Sequence, residues 1–367
     1  MKLRYKIASG ILGIIVIAVL SLALVLSHNA DCVAAPQTSA GAETMKAVTY
    51  SCYGSPEVLE YGDVEKPIPK DGEVLVKVRA AAVNPLDWHY MRGSPYIMRL
   101  GSGIGAPTDT RIGVDFAGTV EAVGDSVTKF RPGDEVFGGR SGAFAEYLVI
   151  PEDRGLTLKP ANVTFEQAAA VPIAALTALQ ALRDKGSLQP GQKVLINGAS
   201  GGVGTFAVQI AKSIGAEVTG VCSTRNVEMV RSLGADHVFD YKKENYTESG
   251  NEYDLIVDMV GNHSLSVNRR VLAPDGRLVI VGGSSGDWIG PLLRPIGAVL
   301  QGPFVDQEMV ILLAKLDQAD LDTIAEMMRN GEVTSVLDRS YPLSDIASAV
   351  RYSEEGRARG KIIVNVE

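Results

Sequence analysis

The hydrophobic pattern changes twice within twenty residues in the middle of the chain. Residues 193–197 form a short apolar run suited to a buried strand. Residues 198–204 supply a glycine-rich turn, and 205–214 carry apolar positions at helical spacing. Further strands are predicted at 217–221, 237–240, 255–258 and 278–281, with a helix over about 226–233. This alternation predicts an α/β unit built on a parallel, doubly wound sheet. From Met45 the period is different: short alternating strands at 46–51, 74–81, 118–123, 135–137 and 145–149, separated by turn signals such as 69–72 and 132–134. After the central unit, 306–330 reads as two helices and 361–366 as a closing strand.

The first 44 residues follow neither pattern. Lys2, Arg4 and Lys6 precede an uncharged run over 7–26. Twenty helical residues span about 30 Å, enough for a membrane anchor. A cleaved secretory signal would have a shorter apolar core and a clear small-x-small site, whereas the best candidate here, 33–35, runs into Pro36. Asp31 in front of Cys32 argues against a lipoprotein. Residues 27–44 carry no Lys or Arg and read as a tether. The expectation is therefore a single-pass membrane protein with its globular part outside the cytoplasm. An inverted anchor and a translation start at Met45 stay open.

Composition changes the picture only a little. With 367 residues and 46% hydrophobic content, the chain can build two sizeable cores. Its net charge of −8 argues against nucleic acid as a partner. Cys32, Cys52 and Cys222 form no CxxC pair and suggest no disulfide framework, and Cys222 reads as a buried apolar residue.

The chemistry concentrates in the glycine turn. Gly198, Ala199, Ser200, Gly201, Gly202, Val203 and Gly204 would bring bare backbone and a helix N-terminus to a diphosphate, which points to a dinucleotide. No acidic side chain ends the second strand of this unit. Cys222, Ser223, Thr224 and Arg225 stand there instead, and hydroxyls with a guanidinium suit the 2′-phosphate of NADPH. A solvated helix-start role for Arg225 is the competing reading.

Several ordered motifs then carry a resemblance over nearly all of 45–367: MKAV at Met45, VNPLDWHYMRG from Val83, GVDFAGTVEAVG from Gly113, FRPGDEVFG from Phe130, GAFAEY from Gly142, AAAVPIAALTALQAL from Ala168, INGASGGVGTFAVQIAK from Ile196 and GRARGKIIV from Gly356. The chain resembles the medium-chain dehydrogenase/reductases of the zinc-free, quinone oxidoreductase-like branch. With 1–44 set apart by its hydropathy as anchor and tether, the resemblance implies a GroES-like catalytic domain over 45–168, a Rossmann NADP-binding domain over 169–312 and completion of the catalytic domain by 313–367.

The zinc enzymes of the superfamily have their first catalytic Cys where this chain has Asn84, and GHE where it has Gly113, Val114 and Asp115. Their third ligand position falls near Ile173, and their four-Cys lobe is missing. His28, His89, His237 and His263 are scattered, so no zinc is expected.

The resemblance implies hydride transfer from NADPH to a quinone or an α,β-unsaturated carbonyl. It puts Asn84 and Asp87 beside the nicotinamide or substrate and Thr177 near the nicotinamide. It also puts Ser223, Arg225 and Tyr241 around the 2′-phosphate, and Val260, Gly261 and Gly282 at the nicotinamide half. For Asn84 a turn before Pro85, for Asp87 a cap on a helix from Trp88, and for Thr177 simple helix packing stay open. Tyr90, Met91, Tyr96 and Met98 would line an apolar pocket or pack as core or lid. Relatives in this branch are often dimers joined through the nucleotide-binding domain. A non-catalytic NADPH-binding redox sensor or scaffold is the alternative, and an NAD(P)-dependent alcohol dehydrogenase a minor one.

Overall fold

The computed structural model describes residues 17–18, 20–33, 38–39, 41–283, 286–288, 290–302 and 305–366. Two large sheets organise them. The first is six-stranded and parallel, in the order His237–Asp240, Glu217–Cys222, Lys193–Asn197, Tyr253–Asp258, Leu272–Ile280, Glu308–Ile311. Strand order reverses between Lys193–Asn197 and Tyr253–Asp258, which opens a crevice at their carboxyl ends. Leu195, Ile196, Ile256 and Val257 are buried completely, as continuous apolar strands covered on both faces must be.

The second sheet has seven strands and gathers both ends of the globular chain. Lys361–Asn365 pairs antiparallel with Glu73–Val83, which pairs in turn with Asp115–Val123 and Tyr147–Pro151. Thr44–Thr49 and Glu60–Glu65 form a separate two-stranded ribbon. Between the two sheets runs the helix Pro172–Leu179, whose Ala174, Ala175, Leu176 and Ala178 are buried against the helix Gly202–Ile214 and the core around Phe206. Each large side chain buried there contributes about 1.5–3 kcal/mol, so the sheets are held in a fixed relation where the site lies.

Four expectations need correction. Residues 308–311 form an edge strand rather than part of a helix, because Met309, Val310 and Ile311 pair with Leu278–Ile280 at the edge of the parallel sheet. Leu272–Ile280 also starts six residues before the expected 278.

The anchor over 7–26, and the single-pass membrane localisation with it, does not stand: no helix among the described residues is long and apolar enough to cross a membrane. Residues 1–16 and 19, most of the expected span, lie outside the described residues. The part that is described docks on the globular chain. Leu26 is buried, and the buried Arg99 guanidinium donates to the carbonyls of Leu26 (2.9 Å) and His28 (3.0 Å).

Cysteine was misread as well. Cys32 and Cys52 form a disulfide, although their spacing matches no familiar framework. The disulfide ties Cys32 to Cys52, and the Ala30 N–H donates to the Gly105 carbonyl (2.8 Å), so residues 26–32 are strapped onto Cys52 and the stretch 93–105, contacts that a chain started at Met45 would lose. Cys222 is buried and unpaired, and burial pushes its thiol up to about 11.

Candidate active site and nucleotide crevice

The glycine turn leaves the carboxyl end of Lys193–Asn197 and enters the helix Gly202–Ile214. Gly198 has φ +94°, a conformation side chains resist. Gly204 is required by proximity, since a Cβ there would lie 2.1 Å from the Gly198 carbonyl oxygen. The first turn of the helix therefore packs back on Gly198 and Ala199 at the carboxyl end of Lys193–Asn197, the kind of helix start whose N–H groups suit a diphosphate. Ser200 and Gly201 are tied to the C-terminal stretch: the Gly360 N–H donates to Ser200 (2.9 Å), and Gly201 bridges Gly360.

Ser223, Thr224 and Arg225 follow the strand Glu217–Cys222, as expected. Asn226, which sequence reasoning passed over, joins this corner to the glycine turn by donating to Ser200 Oγ (2.9 Å) and Ser223 Oγ (3.3 Å). Arg225 donates to the carbonyl of Arg357. Thr224 turns its hydroxyl to Asp240, which holds that carboxyl below its ordinary range. Tyr241 stands 59% exposed, with its N–H donating to the Cys222 carbonyl (3.0 Å).

At the carboxyl end of the neighbouring strand, Asp258 is fully buried and organises the backbone of the turn that follows it. Its Oδ1 accepts from Gly261 N (2.9 Å), Val260 N (3.2 Å) and Asn197 Nδ2 (2.9 Å). Gly282 closes against the same turn, where a Cβ would meet the Met259 carbonyl oxygen at 2.0 Å.

Asn84 and Asp87 meet at the start of the helix Pro85–Arg92, for a physical reason the turn and cap readings caught in part. Asn84 is the N-cap, and Asp87 Oδ2 accepts the Asn84 N–H (2.7 Å) in a capping box, so the helix begins at Pro85 rather than Trp88. Asp87 Oδ1 is buried with no partner, and burial pushes the carboxyl up to about 7. Asn84 Oδ1 accepts from the Lys361 ammonium (2.5 Å), which also donates to Asp115 Oδ2 (3.0 Å). Burial raises the Asp115 carboxyl, against the pull of Lys361. Asp115 Oδ1 takes the Ile173 N–H (3.0 Å), joining the central helix to the cluster. Lys361 closes on the cofactor side too, since its Cδ lies 3.0 Å from where a Gly202 Cβ would be.

Thr177 is less directly placed. It is 6% exposed, and its hydroxyl donates to the Ile173 carbonyl (2.6 Å) one helical turn back. That bond is the helix-packing reading. Met91 is core, whereas Tyr96 packs edge-on against Trp288 at 4.7 Å. With the Tyr96 N–H donating to Asp287 (2.7 Å), the stretch 94–105 reaches from one sheet's side to the other.

The crevice, the turn and the interrupted catalytic sheet have counterparts in known proteins. Residues 70–161 match the family model described as alcohol dehydrogenase GroES-like domain, and 233–364 match the one described as zinc-binding dehydrogenase. The chain is 37% identical over 338 residues to the chloroplast envelope quinone oxidoreductase homolog of Arabidopsis thaliana, covering 87% of this chain and 98% of the relative. The chain belongs to the medium-chain dehydrogenase/reductase superfamily, in its quinone oxidoreductase-like branch.

The 2-methylene-furan-3-one reductase of Solanum lycopersicum is 33% identical over 91% of this chain and 84% of its own length. The solved quinone oxidoreductase from Coxiella burnetii superposes with a TM-score of 0.77 at 28% identity, covering 89% of this chain and all of that one. As a medium-chain dehydrogenase/reductase, the chain is a nicotinamide-dependent oxidoreductase of a small molecule. Lys361, Asn226 and Asp258 are the residues gathered at this crevice that sequence reasoning missed. A lysine after the closing Arg359-Gly360 pair was the one available signal, and it lay inside a motif used only for recognition.

Proposed function

We propose that this chain is an NADPH-dependent, zinc-independent oxidoreductase that reduces quinones or α,β-unsaturated carbonyl compounds. The observation that carries the cofactor reading is the corner at 223–225, where two hydroxyls and a guanidinium follow the strand Glu217–Cys222, Tyr241 is exposed, and no acidic side chain stands in the turn itself. Asp240, at the end of the neighbouring strand, is buried: Thr224 and the Lys242 N–H (3.1 Å, to Oδ1) hydrogen-bond its carboxylate, while Oδ2 has the Lys243 ammonium 3.4 Å away and no hydrogen-bond partner among the described residues. A guanidinium with hydroxyls suits a phosphate there.

Zinc does not fit the catalytic positions. Asn84 directs its amide oxygen at the Lys361 ammonium, and Val114 and Ile173 offer no ligand atom. Among the described residues, no group of three or more His, Cys, Asp and Glu could hold a metal. A conjugated acceptor needs less polarisation than a simple ketone, which favours quinones and enones, the substrate types that the names of two relatives carry.

Bound NADPH supplies the hydride. The chain's part is to hold the two reactants in register, to keep water out, and to hold a proton. Asp87 Oδ1, dry and unpartnered with a carboxyl near neutrality, is the group able to hold that proton at pH 7.

The test is a fluorescence titration of the full chain with NADPH and NADH, followed by 1,2-naphthoquinone and an enone. Tight NADPH binding with oxidation supports the reading. Tight binding with no turnover across a panel of acceptors would favour a redox sensor, and no binding would refute the cofactor assignment.

A further inference from the structure

The nicotinamide side of the crevice holds a cation with donors to spare. Arg294, on the helix Gly290–Gln301, donates through Nη2 to Asp258 Oδ2 (2.6 Å), and its side chain is only 11% exposed. Among the described residues, its Nε and Nη1 are buried with no acceptor. Dry, unpaired donors of a charged group are costly, and folded chains rarely leave them so.

The described residues around it have no spare acceptor to offer. Asp258 Oδ1 is taken by Asn197, Val260 and Gly261, and Asn268 Nδ2 shares Oδ2 at 3.4 Å. Asn268 Oδ1 is taken by the Tyr246 hydroxyl (2.7 Å). The location narrows what the missing acceptor is. Nη1 lies 2.5 Å from where a Gly261 Cβ would be, so the guanidinium rests against the backbone at the carboxyl end of Tyr253–Asp258. That strand borders the switch point of the sheet, where a dinucleotide crosses. Gly261 is required both by its φ of +71° and by this approach.

We propose that Arg294 binds the nicotinamide mononucleotide half of the cofactor, with Nε and Nη1 donating to phosphate or ribose oxygens of that half. The proposal rests on the NADPH reading above. Asp258 is then the positioning residue: one carboxylate oxygen aims the guanidinium and the other fixes the Val260–Gly261 backbone beside it. A planar fork facing two oxygens is the arrangement in which Arg outperforms Lys.

The experiment compares NADPH, NADH and 2′,5′-ADP, which lacks the nicotinamide half, by calorimetric titration of the wild type and Arg294→Met. Arg294→Met should weaken both dinucleotides by the same factor, roughly tenfold for lost charge-assisted hydrogen bonds, and leave 2′,5′-ADP within about twofold. Equal weakening of all three ligands would mark a structural role, and no weakening would mark none; either overturns the proposal. Should Arg294→Met fail to fold, Arg294→Lys keeps the cation on Asp258 but loses the fork, and the same pattern, at roughly threefold or more, is expected of it. A wild type that binds no ligand refutes the cofactor reading and the proposal together. A wild type that binds NADPH, with unchanged variants, refutes the Arg294 assignment alone.

Discussion

The Lys361 ammonium lies 3.0 Å from the Asp115 carboxylate, and neither side chain is more than 3% exposed. With Asn84 it joins the last strand, the sheet centre and the start of the helix Pro85–Arg92 at one buried charge pair. Removing one member strands the other's charge in a dry site, which costs about 3–5 kcal/mol. Lys361→Met and Asp115→Asn should each lose that order of stability in urea unfolding. The double variant should lose less than the sum, because it leaves no orphan charge. A strictly additive double would show that the two charges do not depend on each other.

Asp87 gives the fold a pH dependence of definite sign. Its carboxyl ionises at about 7 in the folded chain, against about 4 when unfolded, because burial disfavours the charge. The folded state therefore binds more protons than the unfolded state between those values, and stability falls as pH rises from 4 to 7. The loss from this group is roughly 2–4 kcal/mol. Asp115, raised for the same reason, adds to it. Asp87→Asn should match the wild type at pH 4, exceed it at pH 8, and flatten the profile between. If urea midpoints of the two proteins stay parallel over that range, the Asp87 carboxyl is not perturbed.

What the sequence made legible was local. Residues 193–197 and 237–240 are strands at the bounds their patterns predict, and the glycine turn sits between strand and helix as its residue types require. What it hid depends on distant partners. Asn84 and Lys361 are 277 residues apart, so no spacing links them. The pairing of 308–311 with the sheet edge overrode a pattern that reads as helix. The run over 7–26 suggested an anchor by hydropathy alone, yet its Leu26 is held under Arg99, a contact that composition cannot reveal.

The Cys32–Cys52 disulfide makes that N-terminal contact dependent on redox conditions. It closes a loop with a sequence separation of 20, and cross-links of that size stabilise by about 3 kcal/mol. Arg99 stays buried under Tyr53 and Tyr96, with their rings 4.4 and 4.5 Å from its guanidinium carbon. The loss on reduction should therefore be confined to the strap. Cys52→Ser, or treatment with dithiothreitol, should expose residues 24–33 to limited proteolysis and speed hydrogen exchange over 93–105. The central sheet should keep its protection. Unchanged cleavage after reduction would show that the strap holds without the bond.

Arg225 provides the most direct separation of the two nicotinamide cofactors. Its guanidinium is fixed by the Arg357 carbonyl beside Ser223, and the loop over 356–360 is tied back to Ser200. The corner is thus built before any ligand arrives, so replacing the side chain removes an interaction without unfolding a loop. A charge-assisted hydrogen bond to a phosphate contributes about 1.5–3 kcal/mol, which is roughly ten- to a hundredfold in affinity. Arg225→Ala should raise the NADPH dissociation constant by that factor, leave NADH within about twofold, and remove much of the salt dependence that separates the two. Calorimetric titration at two ionic strengths reads all three quantities. Equal losses for NADPH and NADH would mean that Arg225 supports the crevice wall and that the 2′-phosphate is held elsewhere.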